Sequence, residues 1–461
     1  MICTKLRTSL FTVVATLSLA ACDTVPFEDT PTRAQIADST LPPMKAFPQA
    51  HPSAPTRSNG NIAADFLDLH FKLESGRELP LFTRFEGPIT IRVTGDPPPS
   101  LNNDLSKLLA RLRSEAQINI SQVSSGEANI TIQAVSRREI RKALPQAACF
   151  VVPNVSSLKE FRRDRHKAKT NWGLLTERSR LGVFIPNDGS PQEIRDCLHE
   201  ELAQALGPLN DLYRLSDSVF NDDDTHAVLT GFDMLILRAT YAPELRSGMP
   251  KGTVAARLPQ ILARMNPQGI NVPTVPVSPT PRGWVENVQV ALGPGTEPED
   301  RRRAANAAAN TAQSLGWTDH RRAFSHSMLG RMTQGYDSDL AIRHYQTAMY
   351  YLERTPGTRV HQAHIATRLA AYEISRGNGD AALQRLRPHL SVAAQAENAV
   401  LLSTLMLLQA EALDLVNRPD EARVVRLDSL GWARYGFGSD WAVRAKMQEI
   451  AALNPKHKTG G

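Results

Sequence analysis

Two proline-rich stretches constrain this chain more than any other feature, because they divide it into blocks that must fold separately. Asp23 to Gly60 holds Pro26, Pro31, Pro42, Pro43, Pro48, Pro52 and Pro55 among Thr, Ser, Ala and Asn. Such a composition buries little apolar surface and predicts an extended tether over residues 22–60. A second break, 251–299, gathers Pro273, Pro276, Pro279 and Pro281 and then Gly293-Pro294-Gly295, and predicts a linker. Two folded blocks remain, 61–250 and 300–455. With 461 residues, 41% apolar and 22% charged, the chain has material for both and is neither collagenous nor wholly disordered.

The first 21 residues carry Lys5 and Arg7 and then a short apolar run, the pattern of an export signal too short to span a bilayer. The run ends in Leu19-Ala20-Ala21-Cys22, which resembles the lipobox of bacterial lipoproteins. That resemblance implies cleavage before Cys22, acylation of its thiol, and a chain anchored to a membrane and facing the periplasm, with the choice of membrane open. An ordinary secretory signal that happens to contain a Cys is the alternative. Of the four Cys, Cys3 then leaves with the signal, and Cys149 and Cys197 remain. In an oxidising compartment they are expected to pair; a thiolate or metal role for Cys197 has no Cys-x-x-Cys spacing behind it.

The formal charge of +6 falls to +4 once Lys5 and Arg7 are removed, and no polybasic stretch with interleaved aromatics points to nucleic acid. Arg301-Arg302-Arg303 and Arg321-Arg322 could touch an anionic membrane, but such helix starts are more simply solvated faces.

Block 61–250 alternates strand-like and helical runs. Pro88–Val93 and Ala128–Gln133 alternate apolar and polar residues; Cys149–Val152 and Leu181–Ile185 are further strands; Leu101–Gln117 is amphipathic. A helix is expected to start at Ser190-Pro191 with Glu193 as capping partner. The plan is α+β, a sheet with helices packed on it.

The chemistry in this block lies in Cys197-Leu-His199-Glu200-Glu201-Leu-Ala-Gln204-Ala-Leu-Gly207-Pro-Leu-Asn210-Asp211. His199-Glu200 does not begin an H-E-x-x-H motif, since the position one turn on is Ala203. Shifted by one residue, the stretch resembles the metzincin pattern H-E-x-x-H-x-x-G-x-x-H-D, with Glu200, Gln204 and Asn210 in the three metal-ligand places. Glu201 takes the place of the general base, and Gly207 and Asp211 are kept. Downstream, Ser218-Val219-Phe220 resembles the tight turn beneath the metal, with Phe220 in place of Met, and Leu229-Thr230-x-x-Asp233 resembles the helix that follows. The resemblance implies a zincin-like fold. The block also looks like an uncharacterised domain family of putative bacterial lipoproteins, which has no established activity.

One carboxylate and two amides would hold zinc weakly, and oxygen donors suit calcium better, so no cofactor is the expectation and zinc or calcium the alternative. Glu201, Gln204, Asn210 and Asp211 are expected to form a buried polar network in place of a metal. Arg195 is a candidate ion-pair partner for Glu200 or Glu201. His199 reads as a packing or solvent residue, and Asn221–Asp224 with His226 as a solvated turn rather than a cation loop.

Block 300–455 is helical throughout. Ala341, Ala382 and Ala422 recur after acidic turns at spacings of 41 and 40 residues, with Gly377-Asn378-Gly379 and Asn417-Arg418-Pro419 as the turns before the last two. This resembles tetratricopeptide repeats, with a longer period and without the Trp-Leu-Gly opening. The resemblance implies a surface for a protein partner; a plain helical bundle is the alternative. Together the blocks suggest a lipid-anchored envelope protein with a non-catalytic metallopeptidase-like domain. The competing expectation is an active metal-dependent hydrolase with Glu201 as base.

Overall fold

The structure, a computed structural model, describes residues 39–48 and 52–457. The signal and Cys22 lie outside the described residues. Leu41 onward forms one compact unit.

The first region contains α1 (Asn59–His70), β1 (Ile89–Gly95), α2 (Pro99–Ser114), β2 (Ile120–Gln122), β3 (Ile130–Val135) and α3 (Arg137–Ala143). It continues with β4 (Phe150–Pro153), α4 (Leu158–Asp164), β5 (Leu181–Pro186), α5 (Pro191–Leu206), α6 (Gly231–Thr240) and α7 (Lys251–Met265). The five strands are ordered β2-β1-β3-β5-β4, all parallel except β4, which runs antiparallel to β5. Ile91 aligns with Ile130, and Ile132 with Val183. Helical crossovers cover the sheet on both faces, so its central strands bury both of theirs. On β5, Leu181, Val183 and Ile185 enter the main core, whereas Phe184 joins Ile140, Phe150 and Phe161 under α3 and α4. Cys149, just before β4, is bonded to Cys197 on α5, with Cα atoms 5.9 Å apart.

The second region is mostly helical: α8 (Arg282–Leu292), α9 (Pro298–Ser314), α10 (His320–Thr333), α11 (Ser338–Leu352), α12 (Arg359–Ser375), α13 (Gly379–Leu386), α14 (Leu390–Gln395), α15 (Ala399–Leu415), α16 (Pro419–Phe437) and α17 (Asp440–Ala451). Helices α8/α9, α10/α11, α12/α13 and α15/α16 pack as hairpins. Ala341, Ala382 and Ala422 are all buried, their small side chains letting neighbouring helices close. Gly330 on α10 serves the same purpose, since a Cβ there would lie 2.6 Å from the ring of Tyr345.

The described part of the first proline-rich stretch and the second stretch both contain packed residues. Phe47, expected in a free tether, is buried and stacks on Trp432 with ring centres 4.5 Å apart, while the Lys45 amide donates to the Gly431 carbonyl at 3.0 Å. Arg434 donates to the Pro42 carbonyl at 2.9 Å and Lys107 to the Phe47 carbonyl at 2.8 Å, outside partners for an extended proline segment that makes no internal hydrogen bonds. Ser58 caps α1 by accepting from the Asn61 amide at 3.0 Å. Within 251–299, α7 buries Val254, Leu258, Ile261 and Leu262 along one face, and Trp284 on α8 is fully buried. Pro273, Pro276, Pro279 and Pro281 fall between these helices, and α7 also carries Pro259 in its interior.

The two regions meet along α5 and α2. Arg195 pairs with Glu397, Gln192 donates to Asn398 at 3.0 Å and accepts from the Val400 amide at 2.9 Å, and Tyr435 donates to Asp104 at 2.9 Å. Among the described residues, no helix is long and apolar enough to cross a membrane.

Candidate functional site

Helix α5 is fixed at three points. Ser190 accepts from the Glu193 amide at 3.2 Å and Pro191 opens the first turn, the expected start signal. Cys197 holds its middle to the strand side. At its end the buried Arg178 donates to the carbonyls of Gln204 (2.5 Å), Ala205 (2.9 Å) and Gly207 (2.5 Å), satisfying acceptors that a helix C-terminus leaves open. Burial lowers the Arg178 guanidinium to about 10, so it stays charged. A Cβ on Gly207 would lie 2.9 Å from His70 Nε2 and 3.0 Å from Thr240, so this close approach requires glycine.

Glu201, Gln204 and Asn210 are buried and Glu200 is half-buried. They do not form the expected network. Asn210 turns its carboxamide to α1, donating to the Asp68 carbonyl at 3.0 Å. Asp211 meets Glu74 carboxyl to carboxyl. Glu201 Oε2 and Asp211 Oδ1 are shut off from solvent with no hydrogen-bond partner. Arg195 is taken by Glu397 and not by Glu200 or Glu201. His199 is a packing residue whose Nδ1 accepts from the Leu229 amide at 3.1 Å. Phe220 is fully buried in a turn tied down by polar bonds: its amide donates to Ser218 Oγ at 3.0 Å, and Ser218 donates to Asp233 at 2.5 Å. Asp233 also accepts from the Thr230 amide at 2.7 Å, and Thr230 from the Asp233 amide at 3.3 Å, a capping box at the start of α6.

The electrostatics follow from the absence of a counter-ion. Among the described residues, Glu74, Glu200, Glu201, Asp211 and Asp222 form a chain of neighbouring acids, none of them in an ion pair. Burial, then the other carboxylates, pushes Glu200, Glu201 and Asp211 well above the usual carboxylate range. Partial loss of hydration, with the neighbouring Glu74, Asp224 and Asp223, raises the exposed Asp222 to about 6 even though Tyr213 donates to it at 2.8 Å. Residues 59–260 match DUF2927, a family described as proteins of unknown function. The match covers less than half of the chain, and a search of the curated proteins finds none that matches.

The DUF2927 region contributes one wall of a cavity of about 1070 Å³, and the helices beyond it contribute the rest. Its loop Asn221–Asp224 exposes Asp222 and Asp224 to solvent, as a turn does, but buries Asn221 and turns the Asp223 side chain inward. Asp223 accepts from His361 Nε2 at 2.7 Å across the seam, and the His320 Nε2 lies 2.6 Å from the Tyr213 carbonyl. Burial would raise Asp223, but His361 outweighs it and holds the carboxyl below its usual range. Glu74, His320, His361 and His364 were not evident as site residues because their partners lie far away in sequence. The spacing of His361 and His364, three residues apart on one helical face, was the available signal.

One group of potential metal ligands among the described residues already lies within 4.8 Å: Glu411, Asp414 and His457. Arg426 donates to both carboxylates, to Glu411 at 3.0 Å and Asp414 at 2.5 Å, and Asn454 donates to the other Glu411 oxygen at 3.0 Å, so these oxygens already have partners.

Proposed function

We propose that this chain is a lipid-anchored protein of the bacterial cell envelope, held through acylated Cys22 and facing the periplasm. In this reading the DUF2927 region is a zincin-like scaffold that no longer hydrolyses peptides, and the tetratricopeptide-like hairpins present a surface to a protein partner. The observation that supports the loss of catalysis is the donor set itself: Glu200, Gln204 and Asn210 offer one carboxylate and two neutral amides, and Asn210 already spends an Nδ2–H on the Asp68 carbonyl. A zincin needs three ligands converging on one ion to activate water, and neutral amides are poor substitutes for imidazole. The test is hydrolysis of an unstructured protein substrate by the full-length chain, with and without added zinc or calcium. No turnover above a no-protein control is expected. Turnover that vanishes in Glu201→Gln would establish the second reading, an active hydrolase with Glu201 as base, which the raised Glu201 carboxyl favours. Anchoring is tested separately: Cys22→Ser should move the chain from the membrane to the soluble fraction.

A further inference from the structure

Four histidines from three separated stretches of chain converge at the seam between the DUF2927 region and the hairpins. His226 comes from the loop after Asp224, His320 opens α10, and His361 and His364 lie one turn apart on α12. The ring centres of His226 and His361 are 5.7 Å apart, and those of His320 and His361 are 5.8 Å apart. Two imidazoles sharing a tetrahedral zinc have ring centres about 5 Å apart, given zinc–nitrogen bonds of about 2.0–2.1 Å.

Three ring nitrogens here are closed to solvent and without a hydrogen-bond partner: His226 Nδ1, His361 Nδ1 and His364 Nε2. Buried polar atoms are nearly always paired, so three orphans in one cluster point to a missing partner. The orientation of His361 is informative. Its Nε2–H is held by Asp223 at 2.7 Å, which leaves Nδ1 as a lone-pair donor, the carboxylate–histidine arrangement that orients metal ligands.

We propose that His226, His361 and His364 bind one divalent transition-metal ion, with Asp223 fixing His361 and His320 alongside. Nitrogen donors of this kind select zinc and its neighbours over calcium or magnesium. The donor atoms of these three rings do not all lie within 4.8 Å of one another, so binding requires the side chains of His226 and His364 to rotate toward His361. Residues on both sides of the seam contribute ligands, and the ion would therefore join the two regions. This site is separate from Glu200, Gln204 and Asn210 on α5, and its test does not depend on hydrolysis.

The experiment is equilibrium dialysis of zinc against the full-length protein in detergent, with thermal melts of the metal-free variants to establish that each folds. One zinc per chain is expected, together with a rise in melting temperature on adding zinc. His364→Gln, whose Nε2 makes no bond in the protein, should weaken binding roughly tenfold or more, as should His226→Gln; Asp223→Asn should weaken it by about tenfold. Glu201→Gln should leave it unchanged. X-ray absorption should report nitrogen-dominated coordination. Absence of binding, binding indifferent to His364→Gln and His226→Gln, or binding lost in Glu201→Gln would each overturn the proposal.

Discussion

Asp164 and Glu201 are almost equally hidden from water, 1% and 5% exposed, yet their carboxyl groups are driven in opposite directions. Asp164 lies at the edge of α4 beneath Arg163 (2.8 Å), Lys167 (2.7 Å) and Lys169 (2.7 Å), which cover it with charge. Those three partners hold it far below the usual carboxylate range. Glu201 is covered by core side chains and by other acids, and it is pushed well above that range. Concealment alone therefore does not decide the protonation state; what covers the group decides it. A carboxyl covered by long cationic side chains remains an anion, whereas one enclosed by apolar groups and acids keeps its proton.

If α5 tolerates unpaired acids because it is clamped from outside, loosening the clamps should have the largest effects. Replacing both Cys149 and Cys197 by Ala should cost about 4 kcal/mol in urea unfolding, the loop-entropy value for a separation of 48 residues. A loss near zero would mean that α5 is held without the disulfide. Arg178→Met should cost about 2–3 kcal/mol, because three carbonyls lose a charged donor in a buried position.

Glu201→Gln should do the reverse and stabilise the protein at pH 8, because the variant no longer has to hold a raised carboxyl ionised in the folded state. Because Glu201 has a raised pKa in the folded state, the wild type is most stable where this group is protonated in both states. It loses stability as pH rises from the unfolded value toward the folded one. The advantage of the Gln variant should therefore shrink toward pH 4.5, roughly the unfolded carboxyl value, when urea midpoints are compared. A variant equally destabilised at both pH values would show that Glu201 has a partner. Asp164→Asn should produce the smallest change, a loss at pH 7. Its depressed pKa means that the stabilisation exists above the unfolded value and fades as pH falls below it, and half-molar salt should reduce it.

Local signals in the sequence carried the α/β region well. The strands around Ile91, Ile132 and Val183, the Ser190 and Thr230 caps and the Cys149–Cys197 pair follow from period, capping chemistry and redox logic within short windows. Proline content misled, because it reports what cannot be helix or sheet and is silent on docking: Phe47 and Trp284 needed only a complementary surface elsewhere. The acidic loop after Asn221 was visible, but its meaning depended on His361, 138 residues from Asp223. Likewise Glu74 lies on an exposed turn with no pattern around it, and only the fold brings it against Asp211.

The contacts of Arg195, Gln192 and Asp104 with the hairpins bear on how this architecture can be reused. A segment cut at the limits of the DUF2927 match would carry a buried guanidinium and a buried carboxylate to its surface and lose the far wall of the cavity. It is not a portable module. Any rearrangement that moved it into another protein would have to bring α15 and α16 along, or supply a replacement that covers the same face of α5.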